Sequence, residues 1–314
     1  MVMPRSLHLP LEVVLGEPSG FCAGVVRAIR AVEEALARYG APVYVRHAIV
    51  HNAWVLRDLE ARGAVFVEDL AECPPDRPLI LSAHGTPRAV SESAMARQDV
   101  VVDATCPLVR RVHTRVRAAA AQGRETVLVG HDGHQEVRGT VGQAPGRVHV
   151  VADADEVSRL DLDVPDTAIL AVQTTLSVDD AAQTVAALRE RFPGIETPRR
   201  SDICYATTNR QEVVKALVPE VDEILVLGDP TSSNSCRLVE TARAAGGMAR
   251  LISDPETAAV SATCRRLGVV AGASSPVAMR EALLARLEQA RDIRVRLQRL
   301  AEEDTVFAPA RLPA

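Results

Sequence analysis

No stretch of this sequence is apolar for long enough to cross a membrane, and Pro4 and Pro10 interrupt the opening before a secretory leader could form. The reading expected from those absences is a cytoplasmic protein with no membrane association. No Gly-Lys-Ser/Thr ending follows GEPSGFCAG, so a P-loop is excluded. Lysine is nearly missing: Lys215 is alone among 36 basic residues. With a net charge of −5 and no cluster of basic residues expected on one helix, a nucleic-acid footprint is not expected. Hydrophobic residues at 47% and charged residues at 25% leave no case for a disordered chain or a coiled coil.

What is present is organised around cysteine. In DATCPLVRRVHTRV a short apolar strand runs into Cys106, and Pro107 follows where the first helical residue belongs. A thiol at such a helix start faces unpaired backbone N–H groups and the positive end of the helix dipole, which favours thiolate. GEPSGFCAGVVRAIRAVEEAL places Cys22 in the same way, and SDICYATTNRQEVVKAL so places Cys204, with Thr208 and Gln211 read as a capping box. In a reducing compartment the six cysteines are expected to bind metal or do chemistry rather than form disulfides. Cys73 in a proline-rich loop, and Cys236 and Cys264, expected in helices, read as small buried hydrophobes.

The cysteine helices mark an internal repeat of about ninety residues. Each is followed by a β-branched run, PVYVRHAIV, ETVLVG or EILVLG, that ends in a polar cluster: His51-Asn52, GHDGHQE and TSSNS. A helix, a short strand, a further apolar strand and a second polar cluster complete each unit. The predicted fold class is α/β: three similar α/β modules, 11–105, 106–201 and 202–292, in a pseudo-threefold arrangement that brings the clusters to one axis. A long helix after Pro276 and an irregular tail, 293–314, packing across a neighbouring module, are expected to finish the chain.

Three thiolates at one point suit zinc or an iron–sulfur cluster, with one metal position left open. The His131-x-x-His134-x-Glu136 pattern matches no zinc hydrolase signature. The other polar residues are His51, His84, His134, Glu136, Thr174, Ser232, Asn234 and Ser274. Hydroxyls, an amide and imidazoles of this kind can surround a phosphate or diphosphate. Glu136 is either a solvated glutamate bonded to His134 or Thr174, or a proton donor whose carboxyl is kept protonated by burial. A zinc enzyme acting on a phosphorylated substrate and a redox sensor without turnover are the competing classes.

GFCAGVVRAI, SAHGTP, DATCPLV, GHDGHQEVRGT, QTTLSVDD, DICYATTNRQ, SSNSCRL and GASSP, in this order from about Leu11 to Leu287, closely resemble the 4-hydroxy-3-methylbut-2-enyl diphosphate reductases. These are the last enzymes of the methylerythritol phosphate route to isoprenoids. The resemblance implies three α/β modules around a [4Fe–4S] cluster with an open iron site, held by Cys22, Cys106 and Cys204. It implies reductive removal of the substrate hydroxyl to give isopentenyl and dimethylallyl diphosphate, with electrons from a ferredoxin or flavodoxin-type donor. His51, His84, His134, Ser232, Ser233, Asn234 and Ser274 would bind the diphosphate, with Thr207 at the border. Glu136, Thr174 and His134 would serve proton delivery. One departure is visible: Gln135 replaces the proline usual between the histidine and the glutamate, which removes a fixed φ from the approach to Glu136.

Overall fold

A computed structural model describes residues 10–313; Pro4 and the tail's last residue, Ala314, lie outside them. Three parallel sheets carry the fold. The strands are β1 (Leu11–Glu17), β2 (Val43–Arg46), β3 (Ala64–Val67), β4 (Leu79–Leu81), β5 (Val101–Asp103), β6 (Thr126–Val129), β7 (Val148–Val151), β8 (Ile169–Val172), β9 (Glu223–Leu227), β10 (Ala249–Ile252), β11 (Arg266–Ala271) and β12 (Ile293–Arg299). The helices are α1 (Ala23–Tyr39), α2 (Ala53–Ala61), α3 (Arg88–Arg97), α4 (Pro107–Ala121), α5 (Gln135–Val141), α6 (Ala154–Val157), α7 (Val178–Arg191), α8 (Tyr205–Leu217), α9 (Ser233–Ala244) and α10 (Val277–Ala290). Sheet orders are β3-β2-β4-β5, β7-β6-β8 and β10-β9-β11-β1-β12.

Three short strands read as continuous apolar runs, as expected of parallel sheets packed beneath helices. Every residue of β4, β6 and β8 except Thr126 is apolar, and all are buried. In the five-stranded sheet, Val13, Leu225, Leu227, Leu267 and Val269 pack on Met279, Leu283 and Leu287 of α10. Their alternates Val14, Ile224, Val226 and Val270 pack on Val213, Leu217 and Leu238 of α8 and α9. The period-two alternation of the strands thus sorts the residues into two cores. On α1, Val25, Ala28, Val32 and Ala35 recur at the spacing of one helical face and are buried, with Gly24, Arg27 and Ala31 beside them.

The chain divides into two compact units. One contains the five-stranded sheet, from residues up to Cys22, His51–Val55 and Tyr205–Thr305. The other contains the remaining two sheets, from Ala23–Val50, Leu56–Cys204 and the residues from Val306 on.

The segment leading to each cysteine lies beside one strand of a parallel sheet. β5, ahead of Cys106, lies beside β4. Glu196, ahead of Cys204, bridges to Ile169 at the start of β8. β1, ahead of Cys22, lies beside β11, filling the matching place in the third sheet.

Four expectations need correction. Residues 293–299, expected to be irregular, form β12, paired in parallel with β1; the run IRVRLQR alternates apolar and polar residues throughout, so the strand is legible in sequence, although Val295 and Leu297 stay exposed on this edge strand. Helix α8 starts at Tyr205, so Thr208 lies inside its first turns and is no cap. Cys264 precedes β11 in a turn rather than standing in a helix. Finally, α4 does carry a basic cluster, Arg110, Arg111, Arg115 and Arg117, with no acid of its own. Asp103 takes Arg110 and Asp202 takes Arg115, so much of that charge is spent within the fold.

Candidate active site

All three cysteines expected at helix starts are there: Cys22, Cys106 and Cys204 directly precede α1, α4 and α8. Each is also tied down by the same hydrogen bond. The Cys22 N–H donates to Ala273 O (3.1 Å), that of Cys106 to Ala83 O (2.9 Å) and that of Cys204 to Thr174 O (3.0 Å). Each acceptor is the second residue beyond a last strand, β11, β4 or β8. The next turn recurs too, with Ser275, Gly85 and Leu176 N–H donating to Gly272, Ser82 and Gln173 carbonyls. Three copies of one local geometry confirm the repeat and set its register: Thr174 matches Ala83 and Ala273, whereas His84 and Ser274 match Thr175. None of the six cysteines forms a disulfide; Cys22, Cys106 and Cys204 are partly exposed, and Cys73 and Cys264 are buried. Burial pushes the Cys73 and Cys264 thiols up to about 11, which fits inert core residues.

In the unit holding Cys106 and Cys204, the other residues gather at the carboxyl ends of the two sheets. Glu136 is the second residue of α5 and is 4% exposed. Thr174 grips it twice, backbone N–H to Oε1 at 2.7 Å and Oγ1 to Oε2 at 2.9 Å. Desolvation raises the Glu136 carboxyl to about 7 against these two hydrogen bonds, and the charge of Asp202 adds to the rise. His134 caps α5, its Nδ1 accepting the Glu136 N–H at 3.2 Å. The rings of His84 and His134 meet edge to face, 6.4 Å between centroids. With Glu136 held by Thr174 and His134 Nδ1 turned to the backbone, the last two members of the His131-x-x-His134-x-Glu136 pattern are bonded within the fold, His134 capping α5 and Glu136 pairing with Thr174. Among the described residues no three His, Cys, Asp or Glu side chains group to hold a single metal ion.

Gln135 replaces the rigidity of a proline with a bond. Its Nε2 donates to Ser82 Oγ at 3.0 Å, two residues before His84, and Ser82 is fully buried. Close packing backs it up: a Cβ on Gly139 would lie 2.8 Å from Gly85 O, and Gly85 itself needs its φ of +89°. Gln135→Ala is expected to cost about 1 kcal/mol, leaving the Ser82 hydroxyl buried without this partner. Gln135→Pro loses the same bond but sits at the first helical position, where proline recovers about 0.4 to 1 kcal/mol. Urea unfolding should therefore rank wild type and Gln135→Pro close together with Gln135→Ala below both; equal stability of all three would show the bond to be worthless.

The unit holding Cys22 collects a second set. Ser232 caps α9, accepting the Ser235 N–H at 3.3 Å. Asn234 Oδ1 accepts the Ala273 N–H at 2.8 Å, beside the carbonyl that holds Cys22, and its Nδ2 reaches Thr207 Oγ1 at 3.5 Å. Ser274 Oγ donates to the His51 carbonyl at 2.9 Å. Ser233 is the first residue of α9. His51, Ser232, Asn234, Ser274 and Thr207 thus share one end of the five-stranded sheet with Cys22, as the repeat requires.

Sequence reasoning missed several charged residues around these groups. Asp202, two residues before Cys204, is buried; it binds Arg115 at 2.5 Å and accepts the Val172 N–H at 3.1 Å. Asp229 accepts from Thr231 N–H and Oγ1 and from the Ala53 N–H. Its burial acts to raise the carboxyl, but these bonds and the charge of His51 hold it below the usual range. Arg210, fully buried, donates to Gly20 O at 2.7 Å and to Glu303. The pairing of an acid with each cysteine strand, DATC and SDIC, was the available clue.

Residues 13–288 match the family model described as LytB protein. The chain belongs to the LytB protein family. A LytB relative from Burkholderia mallei, 4-hydroxy-3-methylbut-2-enyl diphosphate reductase 2, is 47% identical over 298 residues, covering 94% of this chain and 91% of the relative. The 4-hydroxy-3-methylbut-2-enyl diphosphate reductase of Paracoccus denitrificans is 48% identical over 307 residues, covering 96% and 97%. Among solved structures, the E-1-hydroxy-2-methyl-but-2-enyl-4-diphosphate reductase from Plasmodium falciparum matches with a TM-score of 0.90 at 33% identity, covering 96% of this chain and 95% of that one. The three-module α/β fold is therefore the LytB fold.

Proposed function

We propose that this chain reduces 4-hydroxy-3-methylbut-2-enyl diphosphate in the cytoplasm, giving isopentenyl and dimethylallyl diphosphate. The substrate's C–O bond breaks, two electrons and two protons enter, and water leaves with the former hydroxyl oxygen. A ferredoxin or flavodoxin-type carrier supplies the electrons; α4, which follows Cys106, carries four arginines, of which Arg110 and Arg115 are already paired with Asp103 and Asp202.

The donor set suits an iron–sulfur cluster: three partly exposed thiols outside any disulfide, each before a helix N-terminus and each fixed by its own backbone N–H. Cys22, Cys106 and Cys204 would hold a [4Fe–4S] cluster, which when bound supplies the electrons and one open iron site. The modules 11–105, 106–201 and 202–292 with the tail 293–314 are the units we assign to this arrangement.

One observation carries the reading: a buried carboxyl, its pKa raised by desolvation, bonded twice to a threonine whose own carbonyl holds a cysteine. Glu136 stores the proton, the Thr174 hydroxyl carries it, and His134 fixes the start of the helix bearing Glu136. His51, His84, His134, Ser232, Ser233, Asn234 and Ser274 bind the diphosphate. Neutral donors and imidazoles at the carboxyl ends of parallel strands and at the start of α9 are well placed to receive an anion. Ser232→Ala, Asn234→Ala and His84→Ala are each expected to weaken binding by about 1.5 to 3 kcal/mol without altering the cluster spectrum. Anaerobic titration calorimetry with the diphosphate and with its non-phosphorylated alcohol tests this; equal losses for both ligands would move these residues off the diphosphate.

A further inference from the structure

Arg27 lies on α1 and is buried, yet neither the substrate nor proton delivery uses it. Its Nη1 donates to the carbonyl of Thr105 at 3.1 Å, the residue immediately before Cys106. Its Nε donates to the carbonyl of Ala308 in the C-terminal segment at 3.0 Å. That segment is anchored separately, by Tyr39 Oη donating to Pro313 O at 2.7 Å and by the burial of Ala310. One guanidinium thus joins three elements far apart in sequence, and its planar fork is what lets it serve two carbonyls in fixed directions. On the other side of Thr105, the Thr105 N–H donates to Asp103 Oδ1 at 2.9 Å, so the peptides before and after Thr105 are both held.

We propose that Arg27 is a positioning residue for Cys106: it clamps the carbonyl leading into the cysteine to the C-terminal segment and keeps a fixed positive charge next to the ligand. A buried arginine is always charged, and a positive charge near a cluster that gains an electron favours the reduced state. The other unit repeats the device, with buried Arg210 donating to Gly20 O, two residues before Cys22, and to Glu303 near the end of the chain. The inference rests on Cys106 being a cluster ligand.

The test uses the full-length protein purified without oxygen, as wild type, Arg27→Gln, Arg27→Lys, Tyr39→Phe and Cys106→Ser. Three readouts are followed: the cluster midpoint potential by spectroscopic titration, the rate of iron loss to a chelator, and hydrogen exchange over 306–313. Arg27→Gln should move the potential negative, speed iron loss roughly tenfold or more, the equivalent of one bond from a charged donor, and open the C-terminal amides. Arg27→Lys should nearly restore the potential but not the iron retention, because an ammonium keeps the charge without the fork. Tyr39→Phe should open the C-terminal amides alone. Wild-type potential and iron retention in folded Arg27→Gln would overturn the proposal. So would iron loss in Tyr39→Phe equal to that in the arginine variants. If Arg27→Gln does not fold, wild-type iron retention in Arg27→Lys overturns it. Iron kept by Cys106→Ser instead defeats the ligand assignment itself, a separate outcome.

Discussion

Glu136→Gln should bind the substrate and still lose turnover by on the order of 10² or more. Glutamine keeps the shape and can retain the bond from the Thr174 N–H, now 2.7 Å long, but it has no proton to deliver. The wild-type carboxyl has one to give near neutrality because it is buried: desolvation lifts it from 4.5 to about 7, and the two bonds from Thr174 only partly oppose the rise. Turnover limited by this proton should accordingly be sustained below about 7 and fall above it. A bound diphosphate adds negative charge and extends the range further upward. Thr174→Val removes the 2.9 Å hydroxyl contact but keeps the backbone bond, so it should lose less than Glu136→Gln.

Stability follows with a definite sign. A carboxyl whose folded value is raised favours the folded state most below its unfolded value of about 4.5, and that contribution is lost as pH rises through about 7. Glu136→Gln should flatten this part of the stability profile. Anaerobic turnover with excess chemical reductant, alongside unfolding at pH 5 and pH 8, checks both statements; near-normal turnover of the glutamine variant would take Glu136 out of the mechanism.

Cys22→Ser, Cys106→Ser and Cys204→Ser should each lose the cluster and nearly all activity. A serine hydroxyl is a far poorer partner for iron than a thiolate, and two remaining thiolates do not hold a cube firmly. Cys73→Ser and Cys264→Ser place hydroxyls in buried sites and should cost stability while sparing the iron. Cys236, whose thiol burial also raises and whose Sγ donates to Pro230 O, should likewise be dispensable. Retention of colour and iron in any of the first three would break the ligand assignment.

The features legible in sequence were those with local signatures. Pro107 after Cys106, the apolar runs of β4, β6 and β8, and the spacing of polar clusters all report short-range geometry, and the fold keeps each of them. The register of the repeat was legible only in part, since the matching bonds of Cys22, Cys106 and Cys204 go to backbone carbonyls that leave no mark on residue type. Buried charges escaped for another reason. Asp202 meets Arg115 across 87 residues and Arg210 meets Gly20 across 190, so nothing near either residue in sequence announces its partner. β12, by contrast, carries its signal in sequence, Ile293, Val295 and Leu297 alternating with Arg294, Arg296 and Gln298, even though Val295 and Leu297 stay exposed at the sheet edge. Gln135 shows that a departure from a motif can carry its own compensation, here a bond to a buried serine.

The central claim is that three thiolates hold a four-iron cluster with one site open to the substrate. Mössbauer spectroscopy of the oxygen-free, ⁵⁷Fe-enriched protein tests it most directly, recorded with and without 4-hydroxy-3-methylbut-2-enyl diphosphate. The account predicts about four irons per chain, about a quarter of the signal distinct from the rest, and a change on substrate addition confined to that quarter. Four equivalent irons indifferent to substrate, or a protein that binds zinc and no iron, would contradict it.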